Sequence, residues 1–260
     1  MSLRNVKLIF AALLVLVAGA AFATPNPDGA IVMERVWNDC PASTLTVNNT
    51  YPVEIFIQDV GLNCYGWANL HLWRLSNGGA ELLFPNGSAF KISTTLTIGG
   101  TGQAEAGLQI APWWSETDGR LNCRTTDGEI ACFGGRLPFY SFTGSHGLHY
   151  VKGTPIGLSM TYLPHQLNSA QPATIEYTVV YGGTYSSGPL PFDEGNPSEP
   201  YGTWGMLDNA KVGGFFQPLW ALGADPGATV SATFGDHLFE NLDSVGTQDN
   251  TWSGVKNLYR

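Results

Sequence analysis

Arg120–Phe133, RLNCRTTDGEIACF, is the stretch of sequence from which the fold class can be predicted. Its Asp127-Gly128 pair is typical of a two-residue type I′ hairpin, because that turn needs positive φ at both central positions. Counting outward from this turn places Cys123 opposite Cys132 in a non-hydrogen-bonded pair, with Cα atoms about 4.5 Å apart. That separation suits a disulfide. The stretch therefore predicts a Cys123–Cys132 bridge, an oxidising compartment and a β-rich fold.

The other two cysteines follow from this pairing. The chain has four cysteines, so a Cys123–Cys132 bridge leaves Cys40 to pair with Cys64. Four buried free thiols are the alternative. A zinc site is not expected, because the sequence contains neither C-x-x-C nor histidines interleaved with the cysteines at ligand spacing.

The N-terminus has the parts of a secretory signal. Arg4 and Lys7 are basic, residues 8–18 form an apolar run, and Ala21-Phe22-Ala23 is an A-x-A cleavage site before Thr24. We therefore predict that residues 1–23 are removed and that the mature chain, 24–260, is secreted or periplasmic. An uncleaved anchor is the alternative. No later apolar run reaches the roughly 20 residues of a membrane span, so none is expected in the mature chain.

Composition narrows the partners and the fold class. The formal net charge is −9, and loss of the signal would make it more negative by two. Nucleic acid is excluded as a partner, because binding it depends on neutralising phosphates with Lys and Arg. Charged residues make up only 13% of the chain, whereas it has 32 glycines and 16 prolines. This composition favours short strands joined by tight turns over helices.

Alternating apolar and polar residues indicate many strands. In 173–181 one face is apolar and the other polar, as expected for a sheet covered on a single side. Roughly twelve such candidates with very little helix predict an all-β fold, a two-sheet antiparallel β-sandwich of the jelly-roll or lectin-like kind. The main predicted strands are 31–37, 53–59, 66–76, 90–98, 105–114, 137–142, 156–163, 173–181, 212–222 and 229–234.

A long loop interrupts this pattern at 182–205. It contains six glycines and four prolines, a composition typical of a functional loop or a disordered segment. We predict a single β-sandwich domain over 24–260 that includes this loop. Two domains divided near the loop are the alternative.

The sequence contains no strong catalytic motif. Ile175-Glu176-Tyr177 resembles strands that carry a catalytic glutamate in β-sandwich xylanases, and the resemblance implies catalysis by Glu176. A glycosidase needs a second carboxylate roughly 5–10 Å away, for which Glu240 is the nearest downstream candidate. A solvated sheet face accounts for Glu176 equally well.

Tryptophans are the better indication of a ligand. The chain has eight, and flat rings often stack against sugar C–H groups. Trp67 and Trp204 lie beside glycines, and Trp114 follows another tryptophan on a strand, so these three are the candidate ligand-binding residues. Three others are expected in the core: Trp37, Trp73 and Trp220.

Metal sites are weaker candidates. His146 and His149 form an H-x-x-H, but on a strand residues i and i+3 point to opposite faces. Two acidic clusters could bind calcium through oxygen atoms, although neither has the EF-hand spacing: Asp193-Glu194-Gly195-Asn196 with Glu199, and Asp208-Asn209. We expect no cofactor, with calcium as the alternative.

Three functions remain open. The first is a secreted, non-catalytic protein that binds an extracellular glycan or cell surface. The second is a carbohydrate-active hydrolase or lyase. The third is a structural subunit of a matrix or appendage, for which an open edge strand would permit self-assembly.

Overall fold

The architecture is a sandwich of two antiparallel sheets, seen in a computed structural model that describes residues 23–63, 69–111, 119–134, 136–195, 204–219 and 227–243. This confirms the predicted all-β fold of the jelly-roll or lectin-like kind. A single short helix, α1 (Phe142–His146), occurs among the described residues.

Sheet A contains eight strands. Their spatial order is β1 (Gly29–Asn38), β4 (Asn69–Asn77), β15 (Lys211–Leu219), β7 (Gln103–Ala111), β8 (Arg120–Arg124), β9 (Ile130–Phe133) and β10 (Tyr140–Ser141), with β5 (Ala80–Glu81) beside β4. The central strands come from distant parts of the chain, because β15 lies between β4 and β7.

Sheet B also contains eight strands. Their order is β13 (Thr184–Ser186), β12 (Thr174–Val180), β11 (Ile156–Leu163), β6 (Phe90–Gly100), β16 (Ala228–Asn241), β3 (Glu54–Leu62) and β2 (Thr44–Asn49), with β14 (Leu190–Pro191) beside β12. The sequence pattern missed β2, β5, β13 and β14. The last two lie inside 182–205, so this segment is partly strand.

The main core fills the space between the sheets. In β6 and β12 every second residue is buried, as alternation requires for strands with one covered face. The largest buried side chains in this core include Trp73 of sheet A and Phe234 of sheet B, whose rings meet edge to face at 5.6 Å. Trp73 is therefore a core residue, as predicted.

The predicted hairpin register is wrong by two residues. The Arg124 amide bonds the Glu129 carbonyl at 2.9 Å, so the loop is Thr125–Gly128 and not Asp127-Gly128 alone. Gly128 has φ +76°, but Asp127 is not in the left-handed region that a type I′ turn needs. Instead, its carboxylate accepts bonds from the Arg124 side chain at 2.9 and 2.6 Å.

This register separates the two cysteines of the hairpin. Cys123 lies opposite Ile130 and Cys132 opposite Leu121. Both cysteines are buried free thiols, so the predicted Cys123–Cys132 bridge is wrong. Cys40 is not one of the free thiols. Its predicted partner Cys64 lies outside the described residues, and that pairing stays a prediction.

Among the residues that the structure describes, no helix has the length and apolar character needed to cross a membrane.

Candidate functional site

The outer face of sheet A is the candidate site. Side chains on this face point away from the core and form a small hydrophobic cluster of their own: Met33, Leu70, Leu72 and Phe215. Six long polar side chains lie on the same face, and each is at most 9% exposed: Arg74, Glu105, Gln109, Arg120, Asn122 and Gln217. We call this second group the polar row.

Strand pairing explains why the polar row converges. Glu105 lies opposite Gln217 of β15, and Gln109 lies opposite Arg120 of β8. Directly opposite residues on antiparallel strands share a face, so alternate residues of β7, β8 and β15 collect on one surface. Residues of β8 and β15, which are far apart in the chain, are thus brought to one surface on either side of β7.

Glu105 is at the centre of the polar row. Its carboxylate lies 3.5 Å from the Arg120 guanidinium and accepts a bond of 3.1 Å from the Asn122 amide. The Arg120 guanidinium also donates to the Gln217 side-chain oxygen at 3.3 Å and lies 4.3 Å from the centre of the Phe215 ring. Arg120 therefore links the polar row to the hydrophobic cluster.

Burial governs the electrostatics of this group. Desolvation raises the pKa of Glu105 above its ordinary value, although the charge of Arg120 and the hydrogen bond from Asn122 oppose the shift. A raised pKa lets a buried carboxyl group keep its proton at a higher pH than an ordinary glutamate does. The polar row could therefore hydrogen-bond a ligand and could also supply a general acid.

The polar row contains buried side-chain atoms that have no hydrogen-bond partner. Among them are the side-chain oxygen of Asn122, whose residue is fully buried, and the side-chain nitrogen of Gln217, whose residue is 1% exposed. Buried polar groups are nearly always bonded in folded proteins. An acceptor and a donor without partners on one face are complementary to a hydroxyl group, which both donates and accepts.

Trp37 gives this face an exposed aromatic ring. It is 44% exposed and lies opposite Leu70, beyond a β-bulge that separates it from Met33. Register thus places the ring on the side of sheet A that carries the hydrophobic cluster. The sequence prediction that Trp37 is core is wrong, because β1 directs Val32 to the main core and Met33 and Trp37 to the opposite face.

Arg74, Gln109 and Lys211 surround Gly213 at one end of the polar row. Lys211 lies 3.4 Å from Glu81, and Glu81 also pairs with Arg74. The cations at this end of the face are therefore partly neutralised.

The predicted tryptophan site is only partly described. Trp67 and Trp114 lie outside the described residues. Trp204 is half-buried and has φ +64°. Its amide bonds the Asp193 carbonyl and its carbonyl accepts from Ala173, which places it beside β12 of sheet B. A ligand-binding role for these three tryptophans stays a prediction.

Glu176 lies on the outer face of sheet B, away from the polar row. Its carboxylate accepts a bond of 2.5 Å from Ser186. Register puts Glu176, Thr161, Lys91 and Glu240 in one line across four strands. Three strand spacings separate Glu176 from Glu240 by about 14 Å, more than a glycosidase carboxylate pair allows. Glu240 instead pairs with Lys91 at 3.1 Å.

The predicted metal-binding residues have protein partners. His146 lies 2.9 Å from the Tyr140 hydroxyl, and His149 lies 3.2 Å from the Asp127 carbonyl. Asp193 binds Arg136 at 2.6 Å, and Asp208 accepts a bond from Asn86. Glu199 lies outside the described residues. Within the described ranges, no group of three or more acidic, histidine or cysteine side chains could hold a metal ion.

A buried histidine–aspartate pair between the sheets has a structural arrangement. His71 and Asp59 are fully buried, and His71 Nε2 lies 2.9 Å from the carboxylate. His71 Nδ1 accepts from the Arg35 amide, so both ring nitrogens are already bonded. Ser43 binds the carboxylate and not the imidazole. A catalytic triad needs a histidine nitrogen on the serine hydroxyl, and this cluster offers none.

Sequence reasoning missed the polar row. A signal was present, because 103–109 alternates long polar residues with alanine and leucine, and 120–124 alternates arginine and asparagine with leucine and cysteine. On an ordinary outer strand such residues would be solvated. Only the pairing of β7 with β15 on one side and β8 on the other shows that they gather in one buried group.

No protein-family model matches the sequence, and no curated protein is similar to it. The fold is similar to that of the alginate lyase from Klebsiella pneumoniae, with 10% identity and a TM-score of 0.44 over 77% of this chain and 85% of that one. The family 7 alginate lyase A1-II′ gives 10% identity and a TM-score of 0.41 over 72% and 80%. The Emp46p carbohydrate recognition domain gives 9% and 0.39 over 80% and 88%. Likeness at this level assigns the chain to no family.

Proposed function

We propose that this protein binds a glycan on the outer face of sheet A and acts outside the cytoplasm without catalysis. The observation that carries the proposal is the unpartnered amide oxygen of Asn122 and amide nitrogen of Gln217 in the polar row. Sugar hydroxyl groups can donate to the Asn122 oxygen and accept from the Gln217 nitrogen. The proposed secretion rests on the predicted signal sequence at residues 1–23.

The hydrophobic cluster and Trp37 complete this binding face. Sugar rings present C–H groups on their faces, and these pack on aromatic or aliphatic side chains. The face offers an exposed indole at one end and a hydrogen-bonding group at the other. Such an arrangement suits an extended oligosaccharide better than a single small ligand.

A glycan array of the purified mature chain tests this function, with Trp37→Ala as the decisive variant. We expect binding to at least one class of polysaccharide and a loss of at least about tenfold in affinity for Trp37→Ala. Phe139→Ala is the matched control, because Phe139 is 69% exposed and precedes β10 at the sheet edge. Equal binding by the wild type and Trp37→Ala would reject this face as the site.

A carbohydrate-active hydrolase or lyase is the second candidate, and Glu105 favours it. Its buried carboxyl group with a raised pKa has the character of a general acid. Release of new chain ends from the bound polysaccharide, abolished in Glu105→Gln while Trp37→Ala only weakens binding, would establish the enzyme. Binding without any product would support the non-catalytic function.

A further inference from the structure

The segment that begins at Thr24 carries a built site for an amino terminus. Ala23 is exposed, whereas Thr24 is 2% exposed, so the chain enters the fold between these two residues. The Thr24 backbone nitrogen lies 2.6 Å from a carboxylate oxygen of Asp243. This contact joins positions 219 residues apart in the chain.

Every polar atom of Thr24 is bonded in this site. Its hydroxyl donates to the other carboxylate oxygen of Asp243 at 2.7 Å and accepts from the Ala89 amide at 2.8 Å. Its carbonyl accepts from the Asn241 side chain at 3.1 Å. A threonine is thus specifically held at the first position after the A-x-A sequence.

We propose that cleavage of the Ala23–Thr24 bond creates an α-ammonium group at Thr24, and that its ion pair with Asp243 anchors the mature N-terminus. A signal peptidase would add water across the peptide bond, which leaves a carboxylate on Ala23 and an amine on Thr24. The amine takes up a proton and becomes the ammonium group. No other covalent change is needed.

Asp243 is suited to this role. Among the described residues it takes part in no ion pair. In the uncleaved chain it receives only neutral donors, namely the Thr24 amide and hydroxyl and the Ala89 amide at 3.2 Å. An ammonium group supplies the missing counter-charge, and charge-assisted hydrogen bonds are roughly twice as strong as neutral ones.

The same geometry fixes the order of events. A protease must bind the residues on both sides of the bond that it cuts, and Thr24 is buried once it contacts Ala89, Asn241 and Asp243. Cleavage therefore takes place before Thr24 makes these contacts. Signal removal during export, before the chain folds, satisfies that requirement.

Mass spectrometry of the protein exported from living cells tests the cleavage site. We expect an N-terminal peptide that begins at Thr24. A mature protein that begins at any other residue would overturn the proposal, because the ammonium group would then lie away from Asp243.

A double-mutant cycle tests the ion pair itself. Asp243→Asn is made both in a chain that begins at Thr24 and in one that begins at Ala21, each released from a cleavable fusion. We expect the variant to lower the melting temperature by about 3 °C more in the Thr24 chain than in the Ala21 chain. Asp39→Asn is the matched control, since Asp39 is exposed, and should cost the same in both chains. Equal losses for Asp243→Asn in the two chains would overturn the ion pair.

Titration of the amine gives a readout that mere packing would not change. Among the described residues, Asp243 contacts Thr24, and the adjoining strands carry Lys91 and Glu240, which pair with each other at 3.1 Å. We expect the Thr24 amine, followed by nitrogen-15 NMR, to titrate above the usual range of about 7.7–8.0. In Asp243→Asn it should titrate within that range. Identical titrations in the two proteins would contradict the proposal. The test does not depend on glycan binding.

Discussion

Glu105 and Glu240 occupy comparable places on the two outer faces of the sandwich, yet their surroundings differ. The side chain of Glu105 is 5% exposed and bonds Asn122 beside Arg120, whereas that of Glu240 is 40% exposed and pairs only with Lys91. The outer face of sheet A is thus an organised, desolvated surface. The outer face of sheet B is mainly serine, threonine and solvated charge.

This difference is the reason for proposing the outer face of sheet A, and not that of sheet B, as the binding face. Alternation places polar residues outward on both sheets, so the pattern alone does not distinguish them. On sheet A the outward residues are long, buried and adjacent to a hydrophobic cluster. Desolvation strengthens each hydrogen bond there and raises the free-energy cost of a polar group without a partner. A ligand that bonds such a group would therefore gain binding free energy.

The largest expected effect concerns the glycines of the two faces. A Cβ atom on Gly107 of sheet A would lie 1.8 Å from the Leu121 carbonyl oxygen, whereas on Gly157 of sheet B it would lie 3.1 Å from a side-chain carbon of Val180. Gly107→Ala should therefore lower the free energy of unfolding by about 3 kcal/mol, because β7 and β8 must separate. Gly157→Ala should change it by less than about 1 kcal/mol. Urea unfolding measures both, and similar losses would remove the contrast between the faces.

The next effect concerns the two glutamates. Glu105→Ala should cost about 2–3 kcal/mol of unfolding free energy, because it leaves the buried Asn122 and Arg120 groups without this acceptor. Glu240→Ala, the matched change on sheet B, removes an exposed ion pair and should cost no more than about 1 kcal/mol. Guanidinium unfolding of both variants is the measurement. A larger loss of unfolding free energy for Glu240→Ala than for Glu105→Ala would contradict the conclusion that the glutamate on sheet A is the more strongly bonded of the two.

The smallest expected effect is a difference in pH dependence between Glu105 and the inter-sheet Asp59. Burial acts to raise the pKa of Asp59, but hydrogen bonds from His71, Asn69 and Ser43 outweigh it and the pKa is lowered. Asp59 therefore stabilises the fold above its ordinary pKa near 3.8, and that contribution is lost as the pH falls. Glu105 has the opposite sign, because its raised pKa favours proton uptake by the folded state as the pH falls towards 4.5.

Unfolding of Asp59→Asn and Glu105→Gln at several pH values checks these signs. The stability advantage of the wild type over Asp59→Asn should shrink with acidification. Its advantage over Glu105→Gln should grow over the same range. Parallel curves for the two variants would mean that one of the two pKa directions is wrong.

Local pattern was enough to predict most strands. Ile156–Leu163 has the predicted bounds, and the buried stripe of 173–181 faces the core as alternation requires. These elements depend on residues that are neighbours in the sequence. The sandwich follows from them because each such strand has one face to bury.

Features that depend on distant contacts could not be predicted. The hairpin register differs from the prediction because Thr125 bonds Ala104 of β7 instead of pairing with Ile130, which keeps Thr125 in the loop. Trp37 was wrongly assigned to the core because which face of β1 meets the core depends on its pairing with β4. The polar row could not be predicted because it depends on the pairing of β15 with β7, which are separated by about a hundred residues of chain.

Side-chain amide NMR of Asn122 and Gln217 during titration with a glycan that the array identifies is the most direct test of the binding face. We predict that both amides shift on binding, because a sugar hydroxyl fills their missing hydrogen bonds. Gln58, on the outer face of sheet B, is the internal reference and should not move. Shifts at Gln58 with none at Asn122 or Gln217 would contradict the proposal that sheet A binds the glycan.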